Sequence, residues 1–292
     1  MGTYCIETQG KVTKDTTISL YSDFHIHEKD HSNRYNKVID NLERLMPDYI
    51  FILGDFINDT NISPNEIDYV YKYLSLLSSI APVYYVYGNH EMRTKINFRE
   101  VSLINNSYFN MVSTVKNLNV LNNNSILLKE NIGLTGIVLP FNYYVEECED
   151  KEVYLEYVRK YIKNNLLGNL DNNSFNILLQ HTPNNILDKE TYLRFIDAIK
   201  EILKRDYNFD LTISGHLHNG LIPVYLEKYI PGNKGIVGIT GPKKHLFQYN
   251  CRGIMNITDN TTGIVLPAVS TIPGSILNNL FPPGEKTLIL KK

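Results

Sequence analysis

The amino-acid sequence predicts an α/β protein with four layers, a four-layer α/β/β/α sandwich in which two mixed β-sheets pack together and helices flank them. Two patterns favour this class. Apolar strand-like runs alternate with amphipathic helical stretches in the first half, and short β runs separated by glycine and proline fill the carboxy-terminal part. The 292 residues are 43% hydrophobic and 21% charged, which is an ordinary globular composition. We therefore expect a single domain over 17–292, preceded by a flexible segment at 1–16.

The amino-terminal part of the chain is predicted to repeat a strand followed by a helix. Ser63 and Pro64 mark the start of the second helix, because serine is a favoured cap and proline fits the first turn. Strands joined through helices pair in parallel, so their carboxyl ends should lie at one edge of a sheet. The predicted elements are strands at 17–22, 48–53 and 83–87 and helices at 33–46 and 63–79.

The rest of the chain has a less regular pattern. Turn residues separate short apolar runs, and three of these runs, at 119–121, 125–129 and 133–139, are expected to be antiparallel strands. Gly- and Pro-rich residues at 221–249 are expected to frame the entrance to a binding site. The other predicted elements are helices at 98–115, 149–166 and 189–204, buried strands at 175–180 and 211–214, and strands of a second sheet at 252–257 and 287–290.

Five short polar blocks follow predicted strands, at the place where open α/β sheets bind their ligands. Carboxylates, imidazoles and an amide oxygen suit a pair of divalent cations, which needs a carboxylate between the ions to offset their repulsion. Asp55 is the candidate for that bridge, and Asn89 offers its side-chain oxygen. The blocks are Asp23-Phe24-His25, Gly54-Asp55, Gly88-Asn89-His90-Glu91, Gln180-His181 and Gly215-His216-Leu217-His218.

Taken together, the blocks resemble the motif series D-x-H, G-D-x-x-D, G-N-H-[DE], H and G-H-x-H of the calcineurin-like metallophosphoesterases, including their stand-alone bacterial members. The resemblance runs from about residue 17 to 220 and also implies the four-layer sandwich. It implies that His90 is the catalytic imidazole and that Asn89 and His90 contact the substrate. His27, which lies close after the first block, is a further candidate for such a contact. The implied ligands are Asp23, His25, Asp55 and His218 for one ion, and Asp55, Asn89, His181 and His216 for the other.

The second block departs from the family pattern, because Asn58 stands where relatives carry the aspartate that orients the catalytic histidine. A neutral amide stabilises an imidazolium less than a carboxylate does. Whether Asn58, Asp59 or Glu91 orients His90 is therefore left open. The block also lacks the tyrosine ligand of iron-dependent purple acid phosphatases, which favours divalent ions, Mn²⁺ first, with Fe, Zn or Mg as alternatives.

The implied activity is hydrolysis of phosphomonoesters or phosphodiesters. A hydroxide shared by the two metals would attack phosphorus in line while His90 assists the leaving group. Two alternatives remain: a nuclease or nucleotide-lipid hydrolase, and a metal-binding scaffold without catalysis. Tyr143 and Tyr144, which follow a strand end, are expected to line the mouth of the cleft.

The net charge narrows the possible partners. A net charge of −2 and a pI near 6.5 give no support for a broad nucleic-acid surface, so a small phosphoester is the expected partner.

The cysteines and the amino terminus indicate the compartment. Cys5, Cys148 and Cys251 are widely spaced, which is typical of free thiols in a reducing compartment. The amino terminus has no apolar signal region and no stretch spans a membrane, so we expect a cytoplasmic location; the oligomeric state is left open.

Overall fold

The computed structural model describes residues 2–26, 33–58, 63–92, 94–96, 99–101, 106–145, 151–165, 171–183, 187–230, 235–237, 245–248, 251–271 and 276–292. Its strands are β1 (Gly2–Glu7), β2 (Thr16–Tyr21), β3 (Tyr49–Leu53), β4 (Val83–Val86), β5 (Thr94–Ile96), β6 (Arg99–Val101), β7 (Leu118–Val120), β8 (Asn124–Leu127), β9 (Ile132–Ile137), β10 (Phe175–Gln180), β11 (Leu211–Ser214), β12 (Gly235–Val237), β13 (His245–Gln248), β14 (Gly253–Thr258), β15 (Thr261–Val265) and β16 (Lys286–Lys291). The α-helices are α1 (Arg34–Leu45), α2 (Pro64–Ile80), α3 (Asn89–Met92), α4 (Asn106–Thr114), α5 (Phe141–Val145), α6 (Lys151–Asn165) and α7 (Lys189–Leu203). Short 3₁₀ segments cover His218–Leu221, Val224–Tyr229 and Ile276–Leu280.

Within these residues, two six-stranded mixed sheets form the centre of the molecule. The first has the order β1-β16-β2-β3-β4-β7 and the second the order β14-β15-β11-β10-β9-β8. Strands β2, β3 and β4 are parallel, as are β9, β10 and β11, whereas β16 runs antiparallel to β2 and β14 antiparallel to β15. The mixed α/β class predicted from the sequence is confirmed.

The side chains of β10 show how the layers pack. Ile177 and Leu179 join the buried cluster that also holds Ile50 and Ile52 of the first sheet, so the two sheets share a core. Leu178 points to the opposite face and joins a second cluster, in which Phe195 of α7 lies. Because successive strand residues face opposite sides, β10 is buried on both faces by a sheet and a helix layer.

The helix starts follow the capping rules used in the sequence analysis. The Ser63 hydroxyl accepts a hydrogen bond from the Glu66 amide, the Glu66 carboxylate accepts one from the Ser63 amide, and Pro64 occupies the first turn of α2. Asp188 caps α7 by accepting from the Thr191 amide. The predicted helix at 63–79 is thus confirmed and extends to Ile80.

Three predictions about how strands pair in the sheets are wrong. The segment expected to be flexible includes β1, which pairs in parallel with β16 from Gly2 to Glu7. The run near 119–121 is not antiparallel, because β7 adds in parallel to β4, whereas the other two runs, β8 and β9, pair antiparallel with each other as predicted. The final strand was expected in the second sheet, but β16 lies in the first, between β1 and β2. Each error concerns pairing between segments distant in sequence, which local patterns do not specify.

The helix predicted at 98–115 is shorter in the structure. Arg99–Val101 forms β6, paired antiparallel with β5, and the helix covers only Asn106–Thr114. Within the described part of the chain, no helix is both long and apolar enough to cross a membrane. Cys5 is an exposed free thiol and Cys251 is buried, while Cys148 lies outside the described residues.

Candidate metal centre

The predicted ligand blocks converge where the carboxyl ends of the two sheets meet. Asp23, Asp55 and Asn89 follow β2, β3 and β4, and His181 and His216 follow β10 and β11. Backbone hydrogen bonds join the blocks: the Asp23 amide donates to the Gly54 carbonyl at 3.0 Å, and the Gly215 amide to the His181 carbonyl at 2.8 Å. Both sheets therefore contribute side chains to one site.

The backbone at the ligands is unusual. Residues Asp23, His25, Asp55, His216 and His218 have φ values of 54°, 46°, 51°, 68° and 46°. Such left-handed conformations cost a residue with a side chain roughly 1–3 kcal/mol, and they cluster at functional sites. Strand β2 ends at Tyr21, one residue before the predicted end, and the left-handed turns at Asp23 and His25 orient these side chains toward the site.

Two glycines are required by close packing around the ligands. A Cβ on Gly54 would lie 2.5 Å from Nδ1 of His181. A Cβ on Gly215 would overlap the hydroxyl of Ser22 and lie 2.8 Å from Oδ2 of Asp23. A side chain at either position would thus displace a candidate ligand.

One group of candidate ligands contains Asp23, His25 and His218. The Nε2 atoms of His25 and His218 lie 3.3 Å apart, and Oδ1 of Asp23 lies 3.3 Å from Nε2 of His218. The other carboxylate oxygen of Asp23 accepts from the Ser22 hydroxyl at 2.5 Å and from the His216 amide at 2.9 Å. Oδ1 is buried without a hydrogen-bond partner, although unpaired buried carboxylate oxygens are costly. This oxygen is therefore available for a cation.

A second group contains Asp55, His181 and His216, with Asn89 beside them. Nε2 of His181 lies 3.2 Å from Oδ2 of Asp55, 3.1 Å from Oδ1 of Asn89 and 3.1 Å from Nδ1 of His216. Nδ1 of His181 donates to the Leu53 carbonyl at 2.6 Å, which fixes the ring with Nε2 toward Asp55. In both groups, the ligand atoms of the acidic and histidine side chains lie within 4.8 Å of one another.

Asp55 lies between the two groups. Its Oδ2 is 4.0 Å from Nε2 of His25 in one group and 3.2 Å from His181 in the other. Its Oδ1 accepts from the His90 amide at 2.8 Å. A carboxylate in this position matches the bridge that the sequence analysis assigned to Asp55, and carboxylate, imidazole and amide ligands together suit divalent metal ions.

His90 lies at the rim of the same site. Its Nε2 is 3.8 Å from Oδ2 of Asp55, and its Nδ1 donates to the main-chain carbonyl of Asn58 at 2.6 Å. One contact to the ring thus comes from the main chain of Asn58, the residue that replaces the family's aspartate. Asp59 and His27 lie outside the described residues.

Glu91 holds the ligand loops in place. It is fully buried, and its carboxylate accepts from the amides of Gly88 at 2.6 Å, Asp55 at 2.9 Å, Phe56 at 2.7 Å and Ile57 at 3.3 Å. These amides belong to the loops that follow β3 and β4. Glu91 therefore ties two ligand-bearing loops together.

The family assignment follows from a comparison with known protein families. The model of the calcineurin-like phosphoesterases matches residues 16–220, which is more than half of the chain. The chain belongs to the calcineurin-like phosphoesterase family. The matched region contains every candidate ligand described above.

Individual relatives of this calcineurin-like phosphoesterase are distant. An uncharacterized metallophosphoesterase of Campylobacter jejuni is 27% identical over 210 residues, which cover 72% of this chain and 46% of the relative. The chain thus spans about half the length of that relative. A dimetal phosphatase from Danio rerio is 12% identical with a TM-score of 0.48 and coverage of 95% of this chain and 93% of that chain. A Thermus thermophilus protein, TT1561, is 12% identical with a TM-score of 0.45, covering 87% and 90%.

Electrostatics keep the acidic ligands of this phosphoesterase ionised. Burial alone raises the pKa of a carboxyl group, but His181 and His90 outweigh it and hold the pKa of Asp55 well below its usual value. Burial is likewise outweighed at Asp23, whose pKa is lowered by His218 and His181. Ionised carboxylates are the form that binds cations.

The histidines divide into two classes. Burial and the neighbouring His181 lower the pKa of His216 to about 3, and burial with His90 lowers that of His25. Burial also opposes the charge on His181, but Asp55 raises its pKa to about 10, and Asp23 raises that of His218. These two protons lie where positive charge is favoured, and a bound cation would replace them.

Some residues at the site were not identified from the sequence. The Thr271 carbonyl lies 3.1 Å from Nδ1 of His218, and Ser22 orients Asp23. The ring of Tyr144 lies 5.5 Å from that of His216 and 6.1 Å from that of His181, as expected for a residue lining the cleft. The same expectation is wrong for Tyr143, which is buried beside Tyr154. The contact of Thr271 uses its main-chain carbonyl, which every residue has, so the sequence could not indicate it. Ser22 directly precedes Asp23, so its position in the sequence could have indicated its role.

Proposed function

We propose that this chain is a metal-dependent phosphoesterase that hydrolyses small phosphomonoesters or phosphodiesters with the help of two divalent ions. The observation that carries the proposal is the pair of ligand groups that meet at Asp55, one through His25 and one through His181. A shared carboxylate between two histidine-rich groups is the arrangement that a two-metal site needs.

The residues present fit such a pair of ions. The unpaired Oδ1 of Asp23 and the three-residue groups provide anionic and neutral ligand atoms in a buried site. One ion would be held by Asp23, His25, His218 and Asp55, and the other by Asp55, Asn89, His181 and His216. Bound ions would supply Lewis-acid stabilisation of phosphoryl oxygens and a water nucleophile of lowered pKa. Manganese is the first choice, with iron, zinc and magnesium as alternatives.

His90 is the proposed catalytic acid. Its Nδ1–H donates to the Asn58 carbonyl, so Nε2 is the atom left to hold a proton toward the substrate. The side chain is 15% exposed, whereas those of Asp55 and His25 are each 2% exposed, so His90 reaches the open side of the site. A proton on Nε2 would be delivered to the oxygen of the leaving group.

The remaining assignments are proposals of the same kind. We propose a cytoplasmic location, because the three cysteines are widely spaced in the sequence and Cys5 is an exposed free thiol, as is usual in a reducing compartment. The partner proposed is a small phosphoester, and the net charge of −2 supports no broad nucleic-acid surface.

Turnover measurements with two model esters test the proposal. Metal-stripped protein is assayed on p-nitrophenyl phosphate and bis-p-nitrophenyl phosphate before and after manganese is added. We expect metal-stimulated hydrolysis of at least one ester, and the preferred ester distinguishes monoesterase from diesterase activity. Two bound ions without turnover of either ester would favour the metal-binding scaffold instead.

The variant His90→Ala tests the role of the imidazole. We expect unchanged metal content and turnover lowered by about 10²–10⁴-fold, the usual contribution of general acid catalysis. Because p-nitrophenolate leaves without help, the measurement also uses a phosphate ester of an aliphatic alcohol, whose hydrolysis depends more on the acid. Full activity of the variant on that ester would contradict the proposed role of His90.

A further inference from the structure

The 3₁₀ segment Val224–Tyr229, which follows the fifth ligand block, forms an exposed apolar surface. Its apolar and aromatic side chains face solvent: Val224, Tyr225, Leu226 and Tyr229 are 48%, 59%, 36% and 69% exposed. Its acidic residue, Glu227, is partly exposed, and its carboxylate is paired with Asn219 and Arg252. Contiguous exposed apolar side chains of this kind mark an interaction site.

Internal contacts fix the segment beside the metal centre. The Glu227 carboxylate accepts from the Asn219 amide group at 3.1 Å and from the Arg252 guanidinium at 3.0 Å. Asn219 directly follows His218, and Arg252 also donates to the Ile230 carbonyl at 2.9 Å. These bonds anchor the second half of the segment, so its apolar side chains are presented in a defined position rather than on a loose loop.

The composition of the exposed side chains indicates what covers them. Tyrosine and lysine are typical of membrane–water interfaces, where an apolar ring and a polar tip are both satisfied. The Lys228 ammonium lies 4.7 Å from the centre of the Tyr229 ring. Because the Arg252 guanidinium offsets the charge of Glu227, Lys228 leaves the segment with a net positive charge. A cation beside apolar side chains fits a surface of anionic lipid headgroups.

The size of the surface argues against a stable protein interface. A standard interface uses about 20–30 residues on each side, far more than one six-residue turn supplies. Shallow insertion into a bilayer needs only a few apolar side chains together with a basic residue. We propose that Val224–Tyr229 is a membrane-surface docking segment, in which Tyr225, Leu226 and Tyr229 insert between anionic lipid headgroups and Lys228 pairs with them.

Sedimentation of the full chain with lipid vesicles tests the proposal. The vesicles contain phosphatidylcholine alone or phosphatidylcholine mixed with phosphatidylglycerol. We expect the chain to bind the mixed vesicles, and Tyr225→Ser combined with Leu226→Ser to weaken binding by about tenfold. The matched control is Tyr71→Ser combined with Leu76→Ser on α2, where the same residue types are 40% and 42% exposed; it should bind as the unaltered chain does.

A second variant keeps the test independent of folding defects in the first. Lys228→Gln should weaken binding to the anionic vesicles by about fivefold and leave binding to phosphatidylcholine unchanged. The melting temperature of every variant should be unaltered, which shows that each one is folded. Hydrolysis of soluble p-nitrophenyl phosphate by the unaltered chain is measured without vesicles, so a failure of the proposed activity is seen separately from a failure of docking.

Four outcomes would overturn the proposal. The first is no binding of the unaltered chain to either vesicle, and the second is equal binding by the Tyr225→Ser, Leu226→Ser variant. The third is an equal loss in the α2 control, which would indicate unspecific adsorption. The fourth is a dimer in light scattering that this variant converts to a monomer, which would assign the surface to a second copy of the chain.

Discussion

At the scale of single residues, Glu91 contributes more than its place in a motif suggests. Its buried carboxylate accepts hydrogen bonds from four backbone amides in the two loops that carry Asp55 and Asn89. Burial and the nearby Asp55 raise the pKa of Glu91 to about 7, so the group is held at an electrostatic cost. The geometry that presents the ligands therefore depends on a side chain that need not bind metal itself.

Glu91→Gln should destabilise the metal-free protein by about 2–4 kcal/mol. The glutamine NH₂ group would replace one carboxylate oxygen, so the backbone N–H groups that donate to that oxygen would lose their acceptor. Urea denaturation measures this free energy of unfolding. The control is Glu66→Gln in the surface capping box of α2, where glutamine serves equally well and the change should stay below about 0.5 kcal/mol. Equal stability of the Glu91→Gln variant and the unaltered chain would show that the four amides do not depend on a carboxylate.

The identity of the ligands could be predicted from residue types, but the partner of His90 could not. Asp23, His25, Asp55, Asn89, His181, His216 and His218 were chosen from motif spacing, and the structure brings them together. The contact to His90 uses the Asn58 carbonyl, and every residue has a carbonyl. The left-handed turns at the ligands were also missed, because Asp and His are not residues whose presence by itself predicts a positive φ.

At the scale of secondary-structure elements, local signals determined the helix starts well. Asp188 caps α7 through the Thr191 amide and also pairs with Lys151 of α6 at 2.9 Å. These contacts lower the pKa of Asp188 to about 2, the hydrogen bond from Lys151 contributing most and the Thr191 amide next. Because the folded pKa lies below the unfolded value of about 3.9, the group stabilises the protein above that value and loses its contribution as the pH falls toward 2.

Asp188→Ala should therefore reduce the free energy of unfolding by about 1 kcal/mol at neutral pH, the usual value of a helix cap. The Lys151 pair adds little, since both side chains are more than 40% exposed. Urea denaturation of both proteins between neutral pH and about pH 3 should show the difference shrinking as the acid form is populated. A difference that grows on acidification would contradict the assigned charge state.

The pairing of strands was less predictable than the helices. Strands β2, β3 and β4 follow one another with short helical crossovers, and their parallel order followed from the alternation of elements. Strand β16 instead enters the first sheet between β1 and β2, so its partners lie more than 260 positions away in sequence. Apolar alternation identifies such a strand without naming its partner.

At the scale of the whole molecule, the candidate site joins the two sheets. Asp23, His25 and Asp55 come from loops of the first sheet and His181, His216 and His218 from loops of the second. Ions bound between them would connect both halves of the sandwich. Any ligand that binds only the folded state raises its stability by mass action.

Manganese should accordingly stabilise the chain against heat, by about 2.7 kcal/mol at a concentration one hundred times its dissociation constant. Differential scanning fluorimetry of metal-stripped protein, with and without manganese, measures the shift in melting temperature, and a chelator should reverse it. In Asp55→Asn the shift should be largely lost, because the carboxylate between the two groups is gone. An equal shift in this variant would show that manganese stabilises the fold from somewhere else.

We expect two ions, one on either side of Asp55. Anomalous X-ray diffraction from crystals grown with manganese would locate them, since each ion gives its own peak at its position. Two peaks should flank the Asp55 carboxylate, one beside Asp23, His25 and His218 and the other beside Asn89, His181 and His216. A single peak, or none within the reach of these side chains, would contradict this expectation.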